Sequence, residues 1–261
     1  MMDPFAVVGH PLTARFSRLI SFGAFLYQIA DAAMRHWRRA ISVQWQITSF
    51  QIYFTCIQAL PLIFFLSLFV VAVFISQADT IIENAEATKW VANLFVVVVI
   101  RELAPLLTTL VVVGRSGTAI ASELASMTAN EEIDALRVMG VDPIHHLVIP
   151  RVIGITVSVV CLSLTFSLVS LFFTMVIGFY DAGVSPISLL QGVTQFISIL
   201  DIFLNLVKSL FFGMFVALIS CFWGLSARGS KTEIPQVTTK AVIASMFWCF
   251  VFSALITMLV Y

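Results

Sequence analysis

The chain has 261 residues, 60% hydrophobic and 11% charged, and its 14 basic and 14 acidic side chains cancel to a formal charge of zero. Soluble domains carry about 25% charged residues, and a mean hydropathy of +1.04 leaves too little polar surface to cover a core of this length in water. Lipid must therefore cover most of the outside, and because backbone groups in lipid have to bond internally, the expected fold is an all-α membrane protein.

The chain opens with Met1 to Ala14, which holds Asp3, Pro4 and Pro11 and lacks the apolar core of a cleaved signal peptide. Thr13 to Gln51 mixes Arg15, Arg18, Arg35, Arg38 and Arg39 with Phe16, Phe22, Phe25, Trp37 and Trp45. That is the composition of one or two helices lying in the membrane interface; a soluble amphipathic arm packed on the rest is the alternative. Residues 1–54 thus read as an N-terminal cytoplasmic or interfacial helical segment, and 55–261 as one transmembrane domain.

A membrane helix needs about 20 mostly apolar residues, and five runs reach that length. They are Thr55 to Ser76, Trp90 to Val113, Leu147 to Phe179, Ile202 to Ser226 and Val237 to Tyr261. The N-terminal arm and the loops Gly114 to Arg151 and Ala227 to Lys240 hold five, three and three basic residues, eleven of the fourteen. The opposite loops are acidic, with Asp79, Glu83 and Glu86 against Lys89 on one and Asp181 and Asp201 on the other. By the positive-inside rule the N-terminus is expected in the cytoplasm and the C-terminus on the far side. The outer stretch Ser185 to Leu200 has room for a short surface helix entered at Ser185-Pro186.

Two features within this pattern carry chemistry. The first is Arg101-Glu102, about eleven residues from either end of the second run and hence about 15 Å deep. A charge at such depth costs about 2.5–3.5 kcal/mol, so it should face a polar cavity or a partner. Neighbouring helical residues point about 100° apart, so the two cannot simply neutralise each other. Pro105 cannot donate to the carbonyl of Arg101 and is expected to leave it open. A substrate path and an interhelical ion pair that only fixes packing are both compatible with this pair. Lys208 in the fourth run is a weaker candidate of the same kind, since snorkelling to the interface also explains it.

The second feature is the loop Gly114 to Arg151. Thr128 followed by Glu131 fits a capping box, and Ile133, Leu136 and Met139 fall on one helical stripe. Gly140 and then Pro143 stop the helix. A short amphipathic helix over about 128–139 is predicted between two spans, with Glu131, Glu132 and Asp134 on its acidic face and Arg137 beside them.

Machinery for covalent or nucleotide chemistry is missing from the sequence. No Gly-x-x-x-x-Gly-Lys-Ser/Thr stretch exists, Cys56, Cys161, Cys221 and Cys249 lie apart in apolar runs, and His10, His36, His145 and His146 lack metal-ligand spacing. No catalytic residue and no metal site are expected.

From Arg101 to Arg151 the sequence resembles the MlaE/YrbE family of ABC-transporter permeases. The matching blocks are R-E-L-A-P, then G-R-S-G-T-A-I-A-S-E-L-A-S-M, then E-I-D-A-L-R-V-M-G-V-D-P followed by L-V-I-P-R. The stretch Ile75 to Glu86 departs from it in lacking a glycine-containing L-Q-G pattern. The resemblance implies a homodimer in a bacterial inner membrane, flanked by two cytoplasmic ATPase subunits that bind ATP and Mg²⁺ and capped outside by an MCE-domain protein. It further implies a lipid substrate and no nucleic-acid partner. On this reading Thr128, Glu131, Glu132, Ile133, Leu136, Arg137 and Met139 form the coupling helix seated on the ATPase, while Arg101 and Glu102, with Lys208, meet the lipid headgroup. The competing expectation is a membrane scaffold subunit that transports nothing.

Overall fold

The computed structural model describes residues 23–29, 45–79, 85–181, 197–227 and 230–260. Among these the regular structure is entirely helical, and five helices are long and apolar enough to cross a membrane: Trp45–Gln77, Trp90–Ala129, Ile144–Ile177, Ile199–Leu225 and Lys231–Leu259. The expected fold class and the number of spans hold. The interfacial helices expected over Thr13 to Gln51 fall largely outside the described residues, as does nearly all of the outer stretch Ser185 to Leu200.

The fourth span is the centre of the bundle, packed against the second, third and fifth, while the first leans on the third. Glycines set how closely these helices approach. A Cβ on Gly213 would stand 2.7 Å from the Cα of Thr156, and one on Gly224 would stand 2.7 Å from the Cβ of Leu124. Hydroxyls in the third span turn back on their own helix. Ser158 donates to the Gly154 carbonyl at 2.7 Å and Ser170 to that of Phe166 at 2.7 Å, so small polar residues fill the close contacts without leaving unmet hydrogen bonds. The bulky apolar residues left over, such as Phe65 and Phe69 on the first span and Phe247 and Phe250 on the fifth, point outward where lipid would meet them.

Several boundaries differ from the sequence reading. Trp45–Gln51 belongs to the first span, which runs unbroken through residues 54–55 to a tight turn at Ile57–Ala59. The second span does not end at Val113. It continues through a widened i→i−5 turn at Val113–Gly117 into the helix Thr118–Ala129, so that half of the expected loop is helix. Ala119, Ala121 and Ala125 there favour helix, and Ile120, Ala121 and Leu124 are buried, so packing prolongs the helix beyond the end of the hydropathy signal.

The expected capping box does not form. The Thr128 hydroxyl donates 2.8 Å back to the Leu124 carbonyl inside the preceding helix, and the short helix spans Glu132–Val138. Glu131 is its flanking residue, with a left-handed backbone (φ 59°) and no side-chain cap, because the chain must reverse sharply between two helices. The stop at Gly140 is as expected. At φ +78° its N–H donates to the Arg137 carbonyl and that of Val141 to Leu136, both at 3.0 Å, which is the Schellman arrangement. The predicted stripe divides, with Ile133 buried, Leu136 half-buried and Met139 67% exposed just past the helix end.

Replacing Gly213 by Ala should lower the unfolding midpoint of the detergent-solubilised protein by about 1–3 kcal/mol of overpacking, because the obstructing atom is backbone. Gly114→Ala, where a Cβ would meet nothing within 4 Å, should leave the midpoint unchanged or slightly raised. Thermal unfolding of the two variants side by side checks the pair.

Candidate functional site

Charged and polar side chains from the second, fourth and fifth spans converge at one end of the bundle. The widened turn Val96–Leu103 carries Arg101 and Glu102. Asp201 lies in the first turn of the helix Ile199–Leu225, with Asn205 and Lys208 four and seven residues on and therefore on the same face. Ser253 and Thr257 occupy one face of the helix Ile234–Val260 near its far end.

The two adjacent charges of the second span take separate partners. Arg101 Nε stands 2.8 Å from Asp201 Oδ1, and Lys208 Nζ stands 2.6 Å from Glu102 Oε1. Lys208 begins about 10 Å further along its helix than Asp201, but helical side chains lean towards the N-terminus, which lets its ammonium reach back to the level of Glu102. Thr257 donates to Glu102 Oε1 at 2.9 Å and Ser253 to Oε2 at 3.1 Å, and Lys208 also donates to the Thr257 hydroxyl at 3.0 Å. Each carboxylate oxygen of Glu102 thus has a donor, and the group ties together three helices. Lys208 is 2% exposed, which rules out snorkelling, whereas the Glu102 and Arg101 side chains keep 27% and 17% of their surface.

Asp201 does double duty. Its Oδ2 accepts from the Ser198 backbone N–H at 2.8 Å, closing a capping box whose other half is the Ser198 hydroxyl accepting from the Leu200 N–H at 3.3 Å. It is therefore a buried helix-start residue rather than a loop residue. Arg101 is accordingly level with the first turn of the fourth helix, so its distance from the run ends overstates how far it lies from that end of the bundle.

The effect of Pro105 is displaced by one residue from that expected. The widened turn directs the Ala104 N–H to the Val99 carbonyl, so the next donor in that register would serve Ile100, and Pro105 has none. Asn205 of the fourth span fills the vacancy, donating 3.0 Å to the Ile100 carbonyl while its Oδ1 accepts from Ser163 at 2.7 Å. The proline and the asparagine thus form one interhelical joint.

Of the expected headgroup residues, Arg101, Glu102 and Lys208 are brought together. Asp201, Asn205, Ser253 and Thr257 were missed. Their signal is the i, i+4, i+7 spacing of Asp201, Asn205 and Lys208 and the i, i+4 spacing of Ser253 and Thr257, polar stripes on otherwise apolar helices. Next to that stripe the fifth span turns to oil: its Trp248, Val251, Phe252 and Leu255, with Phe215 and Ile219 of the fourth span, line a cavity of about 150 Å³. At the other end of the second span, the residues of the short helix stand apart from this cluster, with Glu131, Glu132, Arg137, Val138 and Met139 exposed.

A buried pair stripped of one member leaves an uncompensated charge. Lys208→Met should therefore destabilise the protein by about 3–5 kcal/mol, and Lys208→Met combined with Glu102→Gln should recover most of that loss. Denaturant unfolding of the single and double variants in detergent measures the coupling; equal losses in both would refute it.

Comparison with known proteins places this architecture. The family model described as Permease MlaE matches residues 48–259. A Rickettsia typhi protein named "Probable ABC transporter permease protein" is 32% identical over 212 residues, 81% of this chain and 82% of that protein. A Synechocystis protein of the same description is 36% identical over 165 residues, 63% of each chain. The chloroplastic protein trigalactosyldiacylglycerol 1 of Arabidopsis thaliana is 34% identical over 151 residues, 58% of this chain and 43% of that one. With its five membrane-spanning helices and a family match that covers all of them almost end to end, the chain is an integral membrane protein and belongs to the MlaE permease family.

Proposed function

We propose that the chain is the membrane-spanning half of an ATP-driven lipid transporter, moving phospholipids or related lipids between membranes. The observation that carries this reading is the Glu102 cluster. Paired charges with part of their surface still open lie one helix face from an all-apolar cavity, the two chemistries that a headgroup and an acyl chain require. An acyl chain leaves the bilayer at about 0.8 kcal/mol per CH₂, so extraction needs both an alternative oily surface and an external energy source. The ABC permease relatives support the second requirement, and the chloroplastic relative bears the name of a galactolipid.

In this proposal two copies of the chain form the transport unit, in the bacterial inner membrane with the N-terminus in the cytoplasm. Two cytoplasmic ABC ATPases bind ATP and Mg²⁺ and push on the helix Glu132–Val138, and an MCE-domain protein receives or delivers lipid on the outer side. The domain reading of residues 55–261 as the permease domain, preceded by an interfacial segment, belongs to the same proposal. Glu102 and Arg101 meet the headgroup, and Lys208, fully covered, holds Glu102 in place. Exposed Val138 and Met139, flanked by Glu131, Glu132 and Arg137, give the short helix an apolar tip within a charged rim, suited to a groove in the ATPase.

In reconstituted complexes, Glu102→Ala and Arg101→Ala should each slow lipid transfer about tenfold or more, the scale of one lost charged hydrogen bond, while the ATPase stays bound. Full transfer in both variants would remove these residues from the path. Charge reversal at Glu131 and Glu132 together should instead reduce co-purification of the ATPase, and unchanged recovery would exclude that contact.

A further inference from the structure

Three cations of the bundle are each matched by a carboxylate of another span, and the half-buried Arg115 is not. Arg101 pairs with Asp201, Lys208 with Glu102, and Arg151 with Glu123 at 2.9 Å. Among the described residues no carboxylate lies within ion-pairing distance of Arg115. Its guanidinium donates from Nη2 to the side-chain oxygen of Gln58 and lies over the Phe54 ring, 5.1 Å from the centroid. Both contacts are neutral. They hold the group in one orientation, a face against the ring and one corner tethered, and leave its remaining N–H edge for an anion.

The position of the group specifies what that anion is. Gln58 is the last amide or charged side chain before the stretch Ala59–Ile75, whose one polar side chain is Ser67, and it follows a stretch rich in Gln, Ser and Thr that begins at Trp45. That change of composition marks a membrane boundary, and Tyr53 and Gln58, both exposed, sit on it. Arg115 is fourteen residues beyond Arg101, about 21 Å along the second span, so the two arginines stand towards opposite leaflets. Both helices depart from α geometry at this level, the first in the tight turn Ile57–Ala59 and the second in the widened turn Val113–Gly117. Widened turns of this kind recur at functional sites. Beside Arg115, the space where a Gly114 side chain would be is open.

We infer that Arg115, tethered by Gln58 and stacked on Phe54, binds the phosphate of a glycerophospholipid headgroup in the leaflet on the side of the helix Glu132–Val138. The site lies well apart from the Glu102 cluster and requires only that the helices span a membrane. A bound phosphate supplies the missing negative charge through the same planar, two-pronged contact that Asp or Glu would make. The lipid in this position is a resident that seals the joint between the first and second spans.

Native mass spectrometry of the full-length protein, titrated with phosphatidylglycerol in mild detergent, tests the assignment. Arg115→Gln should weaken retention of the tightest-bound lipid about tenfold or more, Arg115→Lys should weaken it less, and Gln58→Leu should fall between wild type and Arg115→Gln. Ser76→Ala, altered at an exposed position towards the opposite end of the first span, should retain the lipid as wild type does. Retention unchanged by Arg115→Gln overturns the proposal, as does displacement of the lipid by equimolar inorganic phosphate, which would make the ligand a free anion. Should Arg115→Gln fail to fold, Gln58→Leu and Arg115→Lys decide, and wild-type retention in both overturns it equally. A carboxylate of a second copy as the true partner would appear as loss of dimer in Arg115→Gln with lipid retention intact, and that result also refutes the assignment.

Discussion

The carboxylate of Glu102 is the point on which the upper bundle depends. It accepts from Lys208, Thr257 and Ser253, so a single side chain of the second span gathers the fourth and fifth spans around it. In water such a contact would contribute little, but inside an oily bundle an unmatched ion is costly, and Arg101, Lys208 and Arg151 are each met by an acid from another span. Helix order and rotation follow from this matching. The apolar faces alone would tolerate many rotations, because lipid tails are as oily as leucine and give no preference between inside and outside.

The same matching falls on the irregular part of the second span. Arg101 and Glu102 lie side by side within the widened turn Val96–Leu103, which sets the directions in which they reach Asp201 and Lys208. Widening leaves a carbonyl without its donor at Pro105, and Asn205 supplies it from the neighbouring helix. A proline that reads as a local disturbance in one helix thus becomes an interhelical hydrogen bond, and the irregularity is confined to where protein rather than lipid surrounds it.

Much of this was legible in the residues. Hydropathy located five spans, and the Arg101-Glu102 pair announced itself because charge in such a run has few explanations. Gly140 was readable as a helix stop because a left-handed position favours glycine. What escaped was whatever depended on a second helix. Asp201 looked like a loop acid because apolar runs are judged by composition, and a buried, paired aspartate has the same letter as a solvated one. The continuation of the second span to Ala129 escaped for the related reason that its small residues earn their burial from packing against the fourth and fifth spans rather than from hydropathy. Thr128 satisfied a capping pattern in one dimension, but its hydroxyl was already engaged by Leu124 in the turn before.

The corner at Glu131 has a mechanical side. An L-residue other than glycine holds a left-handed backbone there at about 1–2 kcal/mol of steric penalty, and it has fewer neighbouring conformations to slip into than glycine would. A joint made this way bends less freely than a glycine corner, so a push on the short helix would be passed on to Ala129 where a softer corner would absorb it as bending.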